Sequence, residues 1–90
     1  METFFAKAKA GHDKNQLYFL LEETEEYVYL ANGTTKPVEK PKKKNKKHIQ
    51  IIKKLPPEVT EVIQQGITDE NVKRAIKLYQ KSRQESEDFI

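Results

Sequence analysis

Seven lysines, Lys36, Lys40, Lys42, Lys43, Lys44, Lys46 and Lys47, stand with one acid, Glu39, in positions 36 to 47. The local charge is +6 in a chain whose net charge is +3, so the other 78 residues carry −3. The positive charge is therefore a patch and not a background. So dense a cluster repels itself unless a polyanion neutralises it, which makes phosphate the first ligand to consider. Lysine offers a point charge without base discrimination, so it supplies affinity and position, not sequence readout. Asn45 interrupts the run and can hydrogen-bond a phosphate or a 2′-hydroxyl, and His48 closes it. Pro37 and Pro41 stiffen the segment and lower the entropy lost on ordering it. Two other readings stand beside this one. The run can be a solvated charged loop with no specific partner. Pro41-Lys-Lys-Lys-Asn-Lys46 also resembles a nuclear localisation signal, although such signals work as exposed extended peptides and this one lies between two predicted strands.

A second segment carries functional groups at short spacing: Lys7-Ala-Lys9-Ala-Gly11-His12-Asp13-Lys14. Gly11 supplies a backbone state that other residues resist, and Asp13 can cap the turn through its side chain. Lys9, His12 and Lys14 then project from one loop, either toward a ligand or simply toward solvent. Catalytic chemistry is poorly supplied. His12 and His48 are the two imidazoles, and His12 beside Asp13 is a turn dipeptide without a base and orienting carboxylate across a pocket. Ser82 and Ser86 have no base nearby in sequence. No glycine-rich phosphate loop and no metal-ligand spacing is present, and two histidines without cysteine argue against zinc. No catalytic residue, metal site, cofactor or small-molecule substrate is expected.

These groups need a scaffold that ninety residues can build, which means one compact unit with a small core. Hydrophobic residues are 36% and charged residues 34% of the chain, and the apolar residues come in patterned blocks that argue against wholesale disorder. The absence of cysteine fits a reducing setting. The longest apolar stretches are four or five residues, far short of a membrane span, and the Met-Glu-Thr-Phe-Phe start lacks a basic signal-peptide region. A soluble cytoplasmic monomer is the expectation.

Strand signals fill the first part of the chain. Residues 3–10 alternate, with Phe4, Ala6, Ala8 and Ala10 on one face and Phe5, Lys7 and Lys9 on the other. Residues 16–22 form a nearly continuous apolar run, as a strand covered on both faces does. Residues 26–31 alternate again, with Val28 and Leu30 opposite Tyr27 and Tyr29. Asn32-Gly33 predicts a type I′ hairpin turn, residues 35–39 a short edge strand limited by Pro37, and residues 47–52 a closing strand with Ile49 and Ile51 inward. The lysine run between them is expected as a long loop. Tyr18, Tyr27 and Tyr29 can stack bases or pack, and at least one of them is expected to seat the Val72–Ile76–Tyr79 face of the C-terminal helices. Those helices are predicted from Pro57 to Gly66, carrying Val59, Val62 and Ile63, and from Thr68 or Asp69 onward, carrying Val72, Ile76 and Tyr79. A frayed tail is expected over 84–90. The expected fold is mostly β: a small five-stranded barrel, closed or half-open, over 1–54, with a C-terminal α-helical hairpin over 55–90 packed on it.

Residues 8–48 resemble the KOW-motif domain, the translation-type SH3-like barrel, and in particular the small bacterial KOW-domain RNA-binding proteins related to archaeal and eukaryotic large-subunit ribosomal proteins. The resemblance rests on three pieces in order. These are Lys9-Ala-Gly-x-Asp-Lys14, a Tyr-Val strand ending in Asn32-Gly33, and Lys36-Pro-Val-Glu-Lys-Pro-Lys-Lys-Lys-Asn-Lys-Lys-His48. The chain has Asn15 where the family usually has glycine, and its start lacks the usual Gly-x-Val-Val. The resemblance implies binding of RNA, ribosomal RNA or the ribosome through Lys9, Gly11, His12, Asp13 and Lys14 and through the basic loop 36–48. Because SH3-like barrels also bind proteins, a protein-interaction module using the barrel or the apolar helix face is the alternative.

Overall fold

The structure, a computed structural model, describes residues 4–9 and 16–88. Gly11, His12, Asp13 and Lys14, expected in the first binding loop, lie outside the described residues. Five strands, β1 (Phe5–Ala8), β2 (Leu17–Glu23), β3 (Tyr27–Ala31), β4 (Lys42–Asn45) and β5 (Ile49–Ile52), precede two helices, α1 (Pro57–Gln64) and α2 (Asp69–Asp88). One antiparallel sheet runs in the order β4-β3-β2-β1-β5.

The edge strands β4 and β5 are consecutive in the chain and joined by a single 3₁₀ turn, η1 (Lys46–His48). In a flat sheet the outer strands of five stand roughly 19 Å apart, four gaps of about 4.8 Å. The step from Asn45 to Ile49 can span at most about 14 Å extended and about 8 Å in 3₁₀ geometry. The sheet must therefore coil. Its inner face confirms this, because Ile49 of β5 shares one buried cluster with Ala6, Ala8, Tyr18, Val28 and Leu30. The small alanines of β1 are what allow that approach. β4 and β5 do not pair, so the sheet is coiled but not closed as a barrel.

The outer face is built by the alternate residues. Phe5 and Phe19 join Val59, Val62 and Ile63 of α1 and Val72, Ala75 and Tyr79 of α2 in a second cluster, with Leu17 and Leu21 packed against it. Phe5 meets the rings of Phe19 and Tyr79 edge-on, at centroid distances of 6.4 and 5.4 Å. Phenylalanines, and none of the three strand tyrosines, thus seat the helices. The apolar run of β2 is covered on both faces as its composition requires, Tyr18 inward and Phe19 outward. A bulge between Leu20 and Glu22 bends it.

Both helices begin where their start signals stand. Pro57 occupies the first position of α1, and Gly66 ends it with φ +143°. The Thr68 hydroxyl accepts the Asn71 N–H at 3.1 Å and caps α2. The helix continues to Asp88, into the tail expected to fray from residue 84.

Three expectations fail between 32 and 48. Residues 35–39 form no strand, and Asn32-Gly33 is not a two-residue hairpin turn. Instead the Asn32 side-chain carbonyl accepts the N–H groups of Thr34 and Lys36, winding the chain into a longer loop. Gly33 presses this loop onto α2: a Cβ there would lie 2.4 Å from the Asp69 carbonyl oxygen, and φ is +79°. The Asp69 carboxylate accepts the Val38 N–H at 2.7 Å on the far side of the loop. Finally, the lysine run is not a long loop. Lys42–Asn45 is strand β4, held in ladder with β3, and Lys46–His48 is η1. An edge strand needs only one ladder, and lysine is the residue that protects its open side.

Candidate nucleic-acid interface

Strand geometry sorts the lysines. In the β3–β4 ladder Leu30 faces Lys42, Tyr29 faces Lys43, Val28 faces Lys44 and Tyr27 faces Asn45. Lys42 and Lys44 thus share the face of Val28 and Leu30 and are half-buried. Lys43 emerges on the opposite face, exposed, with its ammonium 4.2 Å from the centroid of the Tyr27 ring. The run is therefore a rim with cations on both sides.

The flanking residues hold this rim in place. Lys36 is half-buried, and its carbonyl accepts the N–H groups of Asn32 and Gly33. Lys40 is exposed beyond a turn closed by its N–H on the Pro37 carbonyl. Asn45 spends its side-chain oxygen on the Lys47 N–H at 2.9 Å, capping η1, so that acceptor serves the turn while the amide NH₂ can still serve a ligand. Lys46 is paired with Glu23 at 2.7 Å, and its N–H donates to the Glu26 carbonyl. Glu23, at the end of β2, thus neutralises one cation of the rim. Lys47 and His48 are exposed.

The structure brings together two segments that are distant in sequence. The Lys9 N–H donates to the His48 carbonyl at 2.8 Å, so exposed Lys9 stands beside the end of the basic run. Of the expected binding residues Lys9, Gly11, His12, Asp13 and Lys14, Lys9 is the one among the described residues. It extends the rim from Lys36 through β4 and η1 to Lys9.

One feature of the surface has no counterpart among the sequence expectations. An open groove of about 730 Å³ runs between α2 and the start of β2, lined by Gln16, Leu17 and Asn32 and by Lys73, Arg74 and Lys77. Its signal in the sequence is the helical spacing of Glu70, Lys73, Arg74 and Lys77 on α2. Tyr27 and Tyr29, which the sequence leaves as stacking or packing residues, are half-buried and join neither core cluster.

Among the described residues no group of three histidine, aspartate or glutamate side chains could hold a metal ion, and no helix is long and apolar enough to cross a membrane. Scans of the chain against protein-family models and against curated proteins return no match.

Proposed function

We propose that this chain is a non-catalytic RNA-binding protein of the KOW type, gripping the phosphate backbone of structured RNA, ribosomal RNA foremost, along the rim from Lys36 to His48 and Lys9. The coiled sheet is read as a half-open SH3-like barrel. Its strand order and the single 3₁₀ turn between β4 and β5 support that reading, as does the inner cluster shared by β1, β2, β3 and β5. The protein acts in the cytoplasm as a monomer.

The observation that carries the proposal is the fixing of Lys42, Lys43, Lys44, Lys46 and Lys47 by β4 and η1. Edge protection explains a lysine or two on β4. It does not explain seven between 36 and 47, with Lys9 brought alongside by a backbone hydrogen bond. Ordering like charges on a ladder is unfavourable by itself and becomes favourable against a polyanion.

The test uses the lysines whose side chains are most exposed, Lys40, Lys43 and Lys47, so that packing is undisturbed. If five phosphates are neutralised, log K should fall against log salt with a slope of about −4 to −5 on duplexes, and less steeply on single strands. Changing these three lysines together to glutamine should flatten the slope by up to about 3. Filter binding to a ribosomal RNA fragment at several salt concentrations reads this directly. A slope that does not move sinks the mechanism. Co-sedimentation with ribosomes in moderate salt then asks whether the ribosome is the partner.

A further inference from the structure

On the outer face of the sheet the two halves are treated differently. Helices α1 and α2 cover β1 and β2 through Phe5, Phe19, Leu17 and Leu21. Among the described residues, none from β3 or β4 belongs to that helix-covered cluster. Tyr27 and Tyr29 point outward there, since Val28 and Leu30 between and beyond them are fully buried in the inner cluster. Both tyrosines are half-buried. Neither hydroxyl has a hydrogen-bond partner among the described residues, in contrast to Tyr18, whose hydroxyl reaches the Gln16 side chain at 3.4 Å.

Directly opposite Tyr29 and Tyr27 in the ladder stand Lys43 and Asn45. One small surface therefore holds two phenol rings about 7 Å apart along the strand, a cation and an amide, with exposed Glu22 of β2 opposite Tyr29 on the other side. Lys43 leans over Tyr27. Among the described residues no ring and no cation covers Tyr29.

We infer that this surface is a base-stacking platform for unpaired RNA nucleotides, with Tyr29 as the open stacking ring, Tyr27 as the second, and Lys43 as the phosphate contact between them. The inference rests on the phosphate-binding reading and deepens it. Ring faces accept any base, so they add affinity for single-stranded segments without sequence preference. A cation–π contact at an exposed site is worth less than one base–aromatic stack, so an arriving base displaces the Lys43 ammonium from Tyr27. The displaced ammonium is then free to meet the backbone phosphate of the same nucleotide. The Asn45 NH₂ is positioned for a base edge while its oxygen remains on Lys47 N–H.

The experiment compares the parent chain with Tyr29→Ala and Tyr29→Phe. Each is titrated with an unpaired oligoadenylate of about ten nucleotides and with an RNA duplex of the same length. Tyr29→Ala should weaken oligoadenylate binding by about 5- to 100-fold, the worth of one stacked base. Duplex affinity and its salt slope should stay as in the parent, and Tyr29→Phe should bind like the parent. The ring-proton resonances of Tyr27 and Tyr29 should move upfield on titration with the oligomer, while those of buried Tyr18 and Tyr79 stay. An oligoadenylate affinity unchanged in Tyr29→Ala, with duplex binding intact, overturns the platform and leaves the phosphate rim standing. Equal loss on both RNAs also overturns it, because it assigns Tyr29 to the integrity of β3. A parent chain that binds neither RNA overturns both readings.

Discussion

The outer face of one sheet carries aromatic residues on both halves and puts them to opposite uses. On the β1–β2 half, Phe5 is wholly buried and Phe19 nearly so, under two helices. On the β3–β4 half, Tyr27 and Tyr29 remain partly in water beside Lys43. The chemistry of the rings matches their fate. Phenylalanine has no polar handle to satisfy and belongs under a helix, whereas tyrosine keeps its hydroxyl wet while presenting a ring face. The helices thus complete a core and also define where the core stops. What they leave uncovered adjoins the cationic rim.

The contrast is most easily broken at its buried side. Phe5→Ala should cost about 3–5 kcal/mol, a large share of the stability of so small a domain. Tyr29→Ala should cost about 1 kcal/mol or less, as expected away from a core. Urea denaturation of the two variants measures the difference, and equal costs would erase the distinction between the halves. A smaller effect sharpens the boundary between them. Gly33 sits where the 32–41 loop, on its way from β3 to β4, crosses the start of α2, with positive φ and no room for a Cβ. Gly33→Ala should cost about 1–3 kcal/mol. Hydrogen exchange should show the first turn of α2 losing protection before the β3–β4 ladder does. The smallest change is at the end of β2. Glu23→Gln removes the partner of Lys46, a half-exposed pair worth about 0–1 kcal/mol. It should leave stability almost unaltered and steepen the salt slope of RNA binding by up to about 0.9.

Much of this architecture is readable from residue patterns. The alternation of Ala6 and Ala8, of Val28 and Leu30, and the inward Ile49 locate the inner face, because a period of two permits little else. Pro57, Gly66 and Thr68 mark the helix ends by local backbone chemistry. The rim was readable as charge but not as structure. Lysine is a poor strand former in isolation, and 42–45 becomes a strand only because β3 offers an open edge. The Asn32 loop misled for a related reason. Asn-Gly favours a tight hairpin locally, but tertiary contacts from Asp69 and α2 select a longer course. Which aromatic seats α2 depends on register across β1, β2 and the helix, information that no single segment contains.

The three residues of η1 have a mechanical consequence. They bind the cationic rim to β5, and β5 is zipped to β1 along its whole length. The rim therefore cannot swing away as a loose tether without unseating a strand of the fold. Crowded charge and native structure are thermodynamically one clasp: the repulsion between lysines works against folding, and whatever cancels that repulsion tightens the fold in return.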